Sequence, residues 1–256
     1  MRRALGNDRM TAALAIKNLH FSYPDGTPAL QGIDLQIMPG ERVAVLGPNG
    51  AGKTTLMLHT NGLLQPTAGQ IAVSGTPLTD ENLPKIRQRV GMVFQDPDDQ
   101  LFMPTVADDV AFGPANAGLS PDEVKARMES ALAEVGMLSV KDRPPHHLSL
   151  GQRRRVAIAT VLATDPRVLV MDEPSSNMDP ASRRELAEVL LGLGRTLVMV
   201  THDLPYAAQL CPRSVILSDG QIRADGPTLD LLSDEALLRH NRLELPYGFD
   251  PATLTA

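Results

Sequence analysis

"GPNGAGKT", residues 47–54, matches the pattern G-x-x-x-x-G-K-[ST] at every fixed position. The preceding run, "RVAVL" at 42–46, is apolar in the manner of a buried strand, and a helix is expected to follow. Glycines at such a strand-to-helix turn let the backbone wrap a phosphate. The helix N-terminus presents N–H groups to anionic oxygens, and Lys53 adds a positive charge near the outer phosphates. A ligand-free glycine-rich turn is the plain alternative, but strand, loop and helix all being in place weighs against it. Gly47, Pro48, Asn49, Gly50, Ala51, Gly52, Lys53, Thr54 and Thr55 are therefore candidate nucleotide-binding residues, with the Thr54 hydroxyl placed to ligate Mg2+.

"VLVMDEP", residues 168–174, sets four apolar residues before two carboxylates. The C-terminal end of a strand is where open α/β sheets bind ligands. Asp172 would hold Mg2+ through its water shell, and Glu173 would orient and activate an attacking water. "LSLGQ", residues 148–152, opens a helix predicted over 152–163. Ser149 and Gly151 can offer a hydroxyl and a closely approached N–H to a phosphate, although in isolation this is an ordinary helix cap.

The rest of the chain alternates strands with helices. Strands are expected at 14–21, 32–37, 90–93 and 196–201, and a hairpin about Asp219–Gly220. The clearest helix lies in "LSPDEVKARMESALAEVG": Ser120 is the cap, Pro121 takes the first position, Glu123 completes a capping box, and Val124, Met128, Ala131, Leu132 and Val135 share a face. Another runs from Pro180 to about Leu193. Alternation at both ends implies a parallel α/β sheet, and the mostly helical middle reads as an inserted subdomain.

Thirty acidic and 24 basic residues among 256 give a formal charge of −6, which argues against broad binding to nucleic acid. The lone Cys211 can form no internal disulfide and fits a reducing cytosol. No apolar run approaches the roughly 20 residues of a membrane helix, and Met1–Met10 lacks the apolar core of a signal peptide. Docking through another subunit is then the route to a membrane.

Taken in order, the three motifs resemble those of ATP-binding cassette (ABC) ATPases. Gln95 fits that family's Q-loop, "SSNMD" at 175–179 its D-loop, His202 in "VTHD" its switch histidine, and Tyr23 the aromatic residue that stacks on adenine. The resemblance covers residues 14–226. It implies an α/β phosphate-loop core with a mixed, largely parallel sheet, an N-terminal antiparallel β subdomain and a helical subdomain inserted at about 97–165. Residues 1–13 are then a flexible N-terminus and 227–256 a helical extension. The cofactors implied are ATP and Mg2+, with Glu173, His202 and Lys53 in catalysis and Thr54, Gln95 and Asp172 about the metal. In that family two nucleotide domains close face to face, so Ser149, Gly151 and Gln152 would complete a neighbour's ATP site in a homodimer or heterodimer. Two residues depart from the pattern: Leu150 stands where glycine is usual and Met178 where leucine is. Leucine adopts positive φ only at a cost, so a weakened signature is expected if position 150 needs that conformation.

"FQDPDDQLFMPTVADDVAFGP" at 94–114, with "HLSLGQRRRVAIATVLATDPRVLVMDEP" at 147–174, resembles more closely the ATPases of energy-coupling-factor importers, especially those of cobalt and nickel uptake. This implies a peripheral protein on the cytoplasmic face of the membrane, working with a transmembrane coupling component and a substrate-binding membrane component. The alternatives are a vitamin importer, such as one for biotin, and an ABC ATPase acting on nucleic acid or ribosomes. Proteins of the last sort typically carry two cassettes or a long coiled-coil insertion, and this chain has one cassette and a short insert. Coupling helices in energy-coupling-factor systems carry arginines, which gives Asp96, Asp98 and Asp99 a use, framed by Phe94, Leu101 and Phe102; the plain alternative is a solubilising loop. His146 and His147 lack a third ligand and read as solvated. Arg153–Arg155 reads as an exposed helix face. The leucines of "LDLLSDEALLRHNRLELP", 229–246, either cover the core's edge or pair two subunits.

Overall fold

Short apolar strands with alternating side chains build a sheet that is buried on both faces. The computed structural model describes residues 11–253. The chain opens with β1 (Leu14–Ser22), β2 (Pro28–Ile37) and β3 (Arg42–Leu46), then α1 (Lys53–Thr60), β4 (Ala68–Val73), β5 (Thr76–Pro77), α2 (Leu83–Arg89) and β6 (Val90–Val93). A helical stretch follows: α3 (Val106–Asn116), α4 (Pro121–Glu134) and α5 (Leu150–Leu162). Alternation then resumes with β7 (Val168–Asp172), α6 (Pro180–Gly192), β8 (Thr196–Thr201), α7 (Leu204–Leu210), β9 (Arg213–Ser218) and β10 (Gln221–Pro227). Two short helices come last, α8 (Thr228–Ser233) and α9 (Glu235–His240).

The larger sheet has the order β10-β9-β3-β8-β7-β6 and is parallel except for β10. That strand returns through Asp219 and Gly220, both at positive φ, as a tight hairpin turn requires. The smaller sheet, β2-β1-β4-β5, is antiparallel. Period-two alternation decides what each face of the large sheet covers. Ala44, Leu46, Leu169, Met171, Leu197 and Met199 pack with the helices, whereas Val43, Val45, Val168, Val170, Val198 and Val200 pack with the small sheet and α1. The helix face also contains Gly91, in register with Leu169. A Cβ at Gly91 would lie 2.1 Å from Val161 Cγ1, so glycine is what lets α5 lie directly on β6.

Most local expectations hold: Ser120 and Glu123 form the capping box of α4. Two element starts differ. β2 begins four residues early, at Pro28, and α5 begins at Leu150 because Ser149 and Gln152 cap it reciprocally. Leu232, Leu238 and Leu243 are buried in the helix-side core, so these C-terminal leucines cover its edge. Of the expected flexible N-terminus, Met1–Met10 lies outside the described residues. Ala13 is buried and donates to the Ile37 carbonyl at 2.8 Å. No helix among the described residues is long and apolar enough to cross a membrane.

Candidate nucleotide site

The strands β3, β7 and β8 end side by side, and Asp172 at the end of β7, with residues of the segments that follow the three strands, walls a cavity of about 420 Å3. It is lined by the loop before α1 together with Tyr23, Gln95, Asp172, Glu173 and His202. Two glycines of the loop have no substitute. A Cβ on Gly47 would sit 2.2 Å from the Leu217 carbonyl oxygen, and Gly52 caps α1 at φ 100° with the Ala29 carbonyl 2.6 Å from where a Cβ would be. Lys53 Nζ donates to the carbonyls of Gly47 at 2.7 Å and Pro48 at 3.0 Å. Burial draws its pKa below the ordinary lysine value, and the charges of Glu173 and Asp172 oppose that shift.

The Thr54 hydroxyl donates to Asp172 Oδ2 at 3.0 Å. Burial raises the Asp172 carboxyl above the usual range, with the Thr54 hydrogen bond acting against it. A cation inserted there would relieve the buried negative charge. Thr54, Asp172 and Gln95 supply the oxygen-only ligand set that Mg2+ takes, so the residues present fit the metal. Tyr23 stands half-exposed at the cavity's mouth, its hydroxyl 2.8 Å from Thr55 Oγ1 and its ring edge-on to Phe21.

Glu173 is buried and adopts φ 45°, a conformation a non-glycine residue holds only when its surroundings enforce it. Its carboxylate accepts from Thr201 Oγ1 at 2.9 Å, the His202 backbone N–H at 3.0 Å and His202 Nδ1 at 2.7 Å. A carboxylate only accepts, so Nδ1 carries the hydrogen. The far side of the Glu173 backbone is held by Arg154, which is 3% exposed. Arg154 Nη1 donates to the Glu173 carbonyl at 2.7 Å and to that of Pro174, while Nη2 donates to the Gln95 carbonyl at 2.9 Å.

The expected exposed face at Arg153–Arg155 is thus corrected. At about 100° per residue the helix sends three consecutive arginines in three directions. Arg153 pairs with Asp98 at 3.0 Å, Arg155 with Glu185 at 3.2 Å, and Arg154 points inward. A second network lies behind the cavity. Asp203 accepts from Ser175 Oγ at 3.1 Å and Arg183 Nη2 at 2.8 Å, and the Arg183 guanidinium lies 4.9 Å from the Tyr206 ring centroid. Sequence reasoning missed Thr201, Asp203, Arg183 and Arg154. Thr201 and Asp203 flank His202 and Arg154 closely follows the signature, whereas Arg183 carried no local signal.

Ser149, Gly151 and Gln152 stand outside this cavity. Ser149 Oγ accepts from the Gln152 N–H at 3.3 Å, and a Cβ on Gly151 would lie 2.8 Å from the Ser182 side chain. The concern over Leu150 is also corrected: it is the first residue of α5 and is not among the residues with positive φ. Leu150→Gly therefore relieves no strain. It should leave ATP hydrolysis unchanged or lower and reduce stability by up to about 1 kcal/mol; a clear gain in turnover would contradict this assignment.

The loop after β6 uses its acids unevenly. Asp96 accepts from the Asp98 N–H at 2.9 Å, Asp98 is paired with Arg153, and Asp99 has no side-chain partner among the described residues. Leu101, expected to frame that surface, is core. Phe102 is 65% exposed and packs edge-on to Phe112 at 5.1 Å between centroids. Its backbone is pinned from α3: buried Asp109 accepts from the N–H groups of Phe102 and Met103, each at 3.0 Å. His146 and His147 are exposed and stack edge to face, and among the described residues no group of three or more His, Cys, Asp or Glu side chains is gathered to hold a metal.

A parallel sheet that delivers a phosphate loop and two carboxylates to one edge defines a phosphate-loop nucleotide-binding protein. The family model for ABC transporters matches residues 30–176, more than half of the chain. An ABC transporter ATP-binding protein of Streptomyces coelicolor is 63% identical over 245 residues, covering 96% of this chain and 94% of that one. The energy-coupling factor transporter ATP-binding protein EcfA of Methanothermobacter thermautotrophicus is 48% identical, covering 93% and 78%. Among solved structures, the cbiO1 protein of Clostridium perfringens, part of the ABC transporter complex cbiONQ, superposes with a TM-score of 0.82 at 38% identity, covering 92% and 96%. The chain belongs to the ABC transporter ATP-binding family, as an ATPase of the energy-coupling-factor type. It is the ATP-hydrolysing subunit of a transporter.

Proposed function

We propose that this ATPase drives import of a transition-metal ion, cobalt or nickel, from the cytoplasmic face of the membrane. Its partners would be a transmembrane coupling component and a substrate-binding component. The observation that carries its motor role is the convergence of Lys53, Thr54, Asp172, Glu173 and His202 on one cavity, with exposed Ser149 standing outside it. Lys53 leaves the loop carbonyls to hold the outer phosphates, and Tyr23 offers its ring to adenine. Thr54, Asp172 and Gln95 would hold Mg2+, which when bound would neutralise charge on the transferred phosphoryl group. Glu173 orients the attacking water and takes its proton, while His202 and Thr201 fix the carboxylate. A second ATPase, the same chain or a homologue, contributes Ser149, Gly151 and Gln152 across a closed interface. Likeness to cbiO1 supports the choice of importer, and no residue of the chain needs to meet the cargo.

The partner surface is Asp99 with Phe102 and Phe112, since Asp96 and Asp98 are engaged within the chain. An exposed aromatic pair that docking would desolvate, together with an acid that has no side-chain partner among the described residues, suits a basic, apolar helix. Asp99→Lys combined with Phe102→Ala should cut copurification with the membrane components by about tenfold or more. ATP binding by the isolated chain should survive, because neither residue lines the nucleotide cavity. Copurification and uptake of radiolabelled cobalt and nickel, measured at fixed salt, test the reading. Full assembly of the double variant would move the docking surface elsewhere, and uptake of biotin without either metal would replace the cargo.

A further inference from the structure

Gln95 lines the nucleotide cavity, yet its side chain is exposed and makes no hydrogen bond among the described residues. The backbone on either side must therefore set where it points. On the C-terminal side its carbonyl is held by Arg154 at 2.9 Å. On the N-terminal side the tie is Gln100. Its Oε1 accepts from the Phe94 N–H at 3.3 Å, and its Nε2 donates to the Ala157 carbonyl and to Thr160 Oγ1, each at 2.7 Å. The amide has one orientation here, because the Phe94 N–H only donates and the Ala157 carbonyl only accepts. The Thr160 hydroxyl spends its own hydrogen on the Ala157 carbonyl at 2.8 Å, which leaves Oγ1 to accept from Gln100. A turn at Pro97–Asp99, capped by Asp96, makes this reach possible: the N–H groups of Gln100 and Leu101 both donate to the Pro97 carbonyl, at 3.0 and 2.9 Å, and the chain doubles back on Phe94.

We propose, on the reading of Gln95 as a contact to Mg2+, that Gln100 is a positioning residue for it: together with Arg154 it fastens the backbone on both sides of Gln95 to α5, so that the Gln95 side chain is aimed at the metal of bound MgATP. The loop's other tie to α5 does not serve this end. It joins Arg153 to Asp98, whose side chain is 65% exposed, and it acts beyond the turn rather than beside Gln95. Gln100 has the chemistry the position needs, since a single planar amide offers an acceptor to one segment and two donors to the other. A carboxylate could not donate to the Ala157 carbonyl, and an ammonium could not accept from Phe94.

The test is calorimetric titration of the full chain with adenylyl imidodiphosphate, a non-hydrolysable ATP analogue, once with Mg2+ and once with EDTA. The ratio of the two affinities isolates what the metal contacts contribute. Gln100→Met keeps the side chain's length without the amide and should lower that ratio about fivefold. Affinity in EDTA should change less than about twofold, because Lys53 and Tyr23 keep their own partners. Thr160→Val removes one of the two acceptors on α5 and should lower the ratio about twofold, which supplies a milder break should Gln100→Met fail to fold. Gln95→Ala should lower the ratio at least as far as Gln100→Met, and adding Gln100→Met to it should cost less than about twofold more, since a residue that acts through Gln95 then has nothing left to aim. Full additivity of the two would mean that Gln100 only fastens the loop, and would overturn the proposal. So would an unchanged ratio in both Gln100→Met and Thr160→Val while Gln95→Ala lowers it, a result that leaves Gln95 as a metal contact. An unchanged ratio in Gln95→Ala would overturn the metal reading of Gln95 and the proposal with it.

Discussion

Glu173→Gln should lower steady-state ATP hydrolysis in the assembled transporter by about 100- to 10,000-fold, the range for removing a positioned general base, while MgATP binding changes by less than about threefold. Glutamine keeps the side chain's length: its oxygen can stand in for Oε1 and accept from the His202 N–H groups, while its amide nitrogen, in place of Oε2, can donate to the Thr201 hydroxyl. What it loses is the capacity to take a proton from water. The cavity is otherwise unaltered, since Lys53 and the Thr54–Asp172 pair are set by the phosphate loop and β7. The variant should therefore accumulate in an ATP-bound, closed dimer, visible as a concentration-dependent shift in size-exclusion elution. Lys53→Ala is the contrasting control, because it removes the charge meant for the outer phosphates and should lose productive binding itself. Near-normal turnover by Glu173→Gln would remove this residue from the role of base.

Arg154→Ala should both destabilise the fold and slow catalysis. The guanidinium is the buried donor to the carbonyls of Gln95, Glu173 and Pro174. Its removal leaves acceptors short of partners in a site that water enters only partly, which costs about 3–5 kcal/mol when a buried charged group loses its network. In a chain of this size that corresponds to roughly 10 °C in Tm. The catalytic effect follows from φ 45° at Glu173: with its carbonyl unheld, the backbone can relax and carry the carboxylate away from the water it must orient. A fall in kcat of about tenfold or more is expected, with a smaller change in KM, since the phosphate loop is untouched. Arg154→Lys should recover part of the stability but less of kcat, because one ammonium cannot span three carbonyls in a fork. Arg155→Ala, which breaks only a pair near the surface with Glu185, should cost no more than about 1 kcal/mol. Wild-type Tm and kcat in Arg154→Ala would refute the positioning role.

The amino-acid sequence determined the parts whose chemistry is local. The phosphate loop is nine consecutive residues, 47–55, whose glycines are demanded by the backbone itself. Asp172 and Glu173 end an apolar strand, so their edge of the sheet follows from the strand's direction. The caps at Ser120 and Ser149 act within three residues. What only the tertiary structure decided is where side chains find partners far along the chain. Arg153, Arg154 and Arg155 are alike as letters. Their separate fates depend on Asp98, on carbonyls 19, 20 and 59 residues from Arg154, and on Glu185. The acids 96–99 carry no mark showing that one caps a turn and another meets α5. Leu150 is unstrained because α5 starts beneath it, and the C-terminal leucines are core because the helix-side layer has an edge to cover. Residue type and spacing constrain backbone conformation over a few residues, whereas burial and charge pairing arise only when distant segments are packed together.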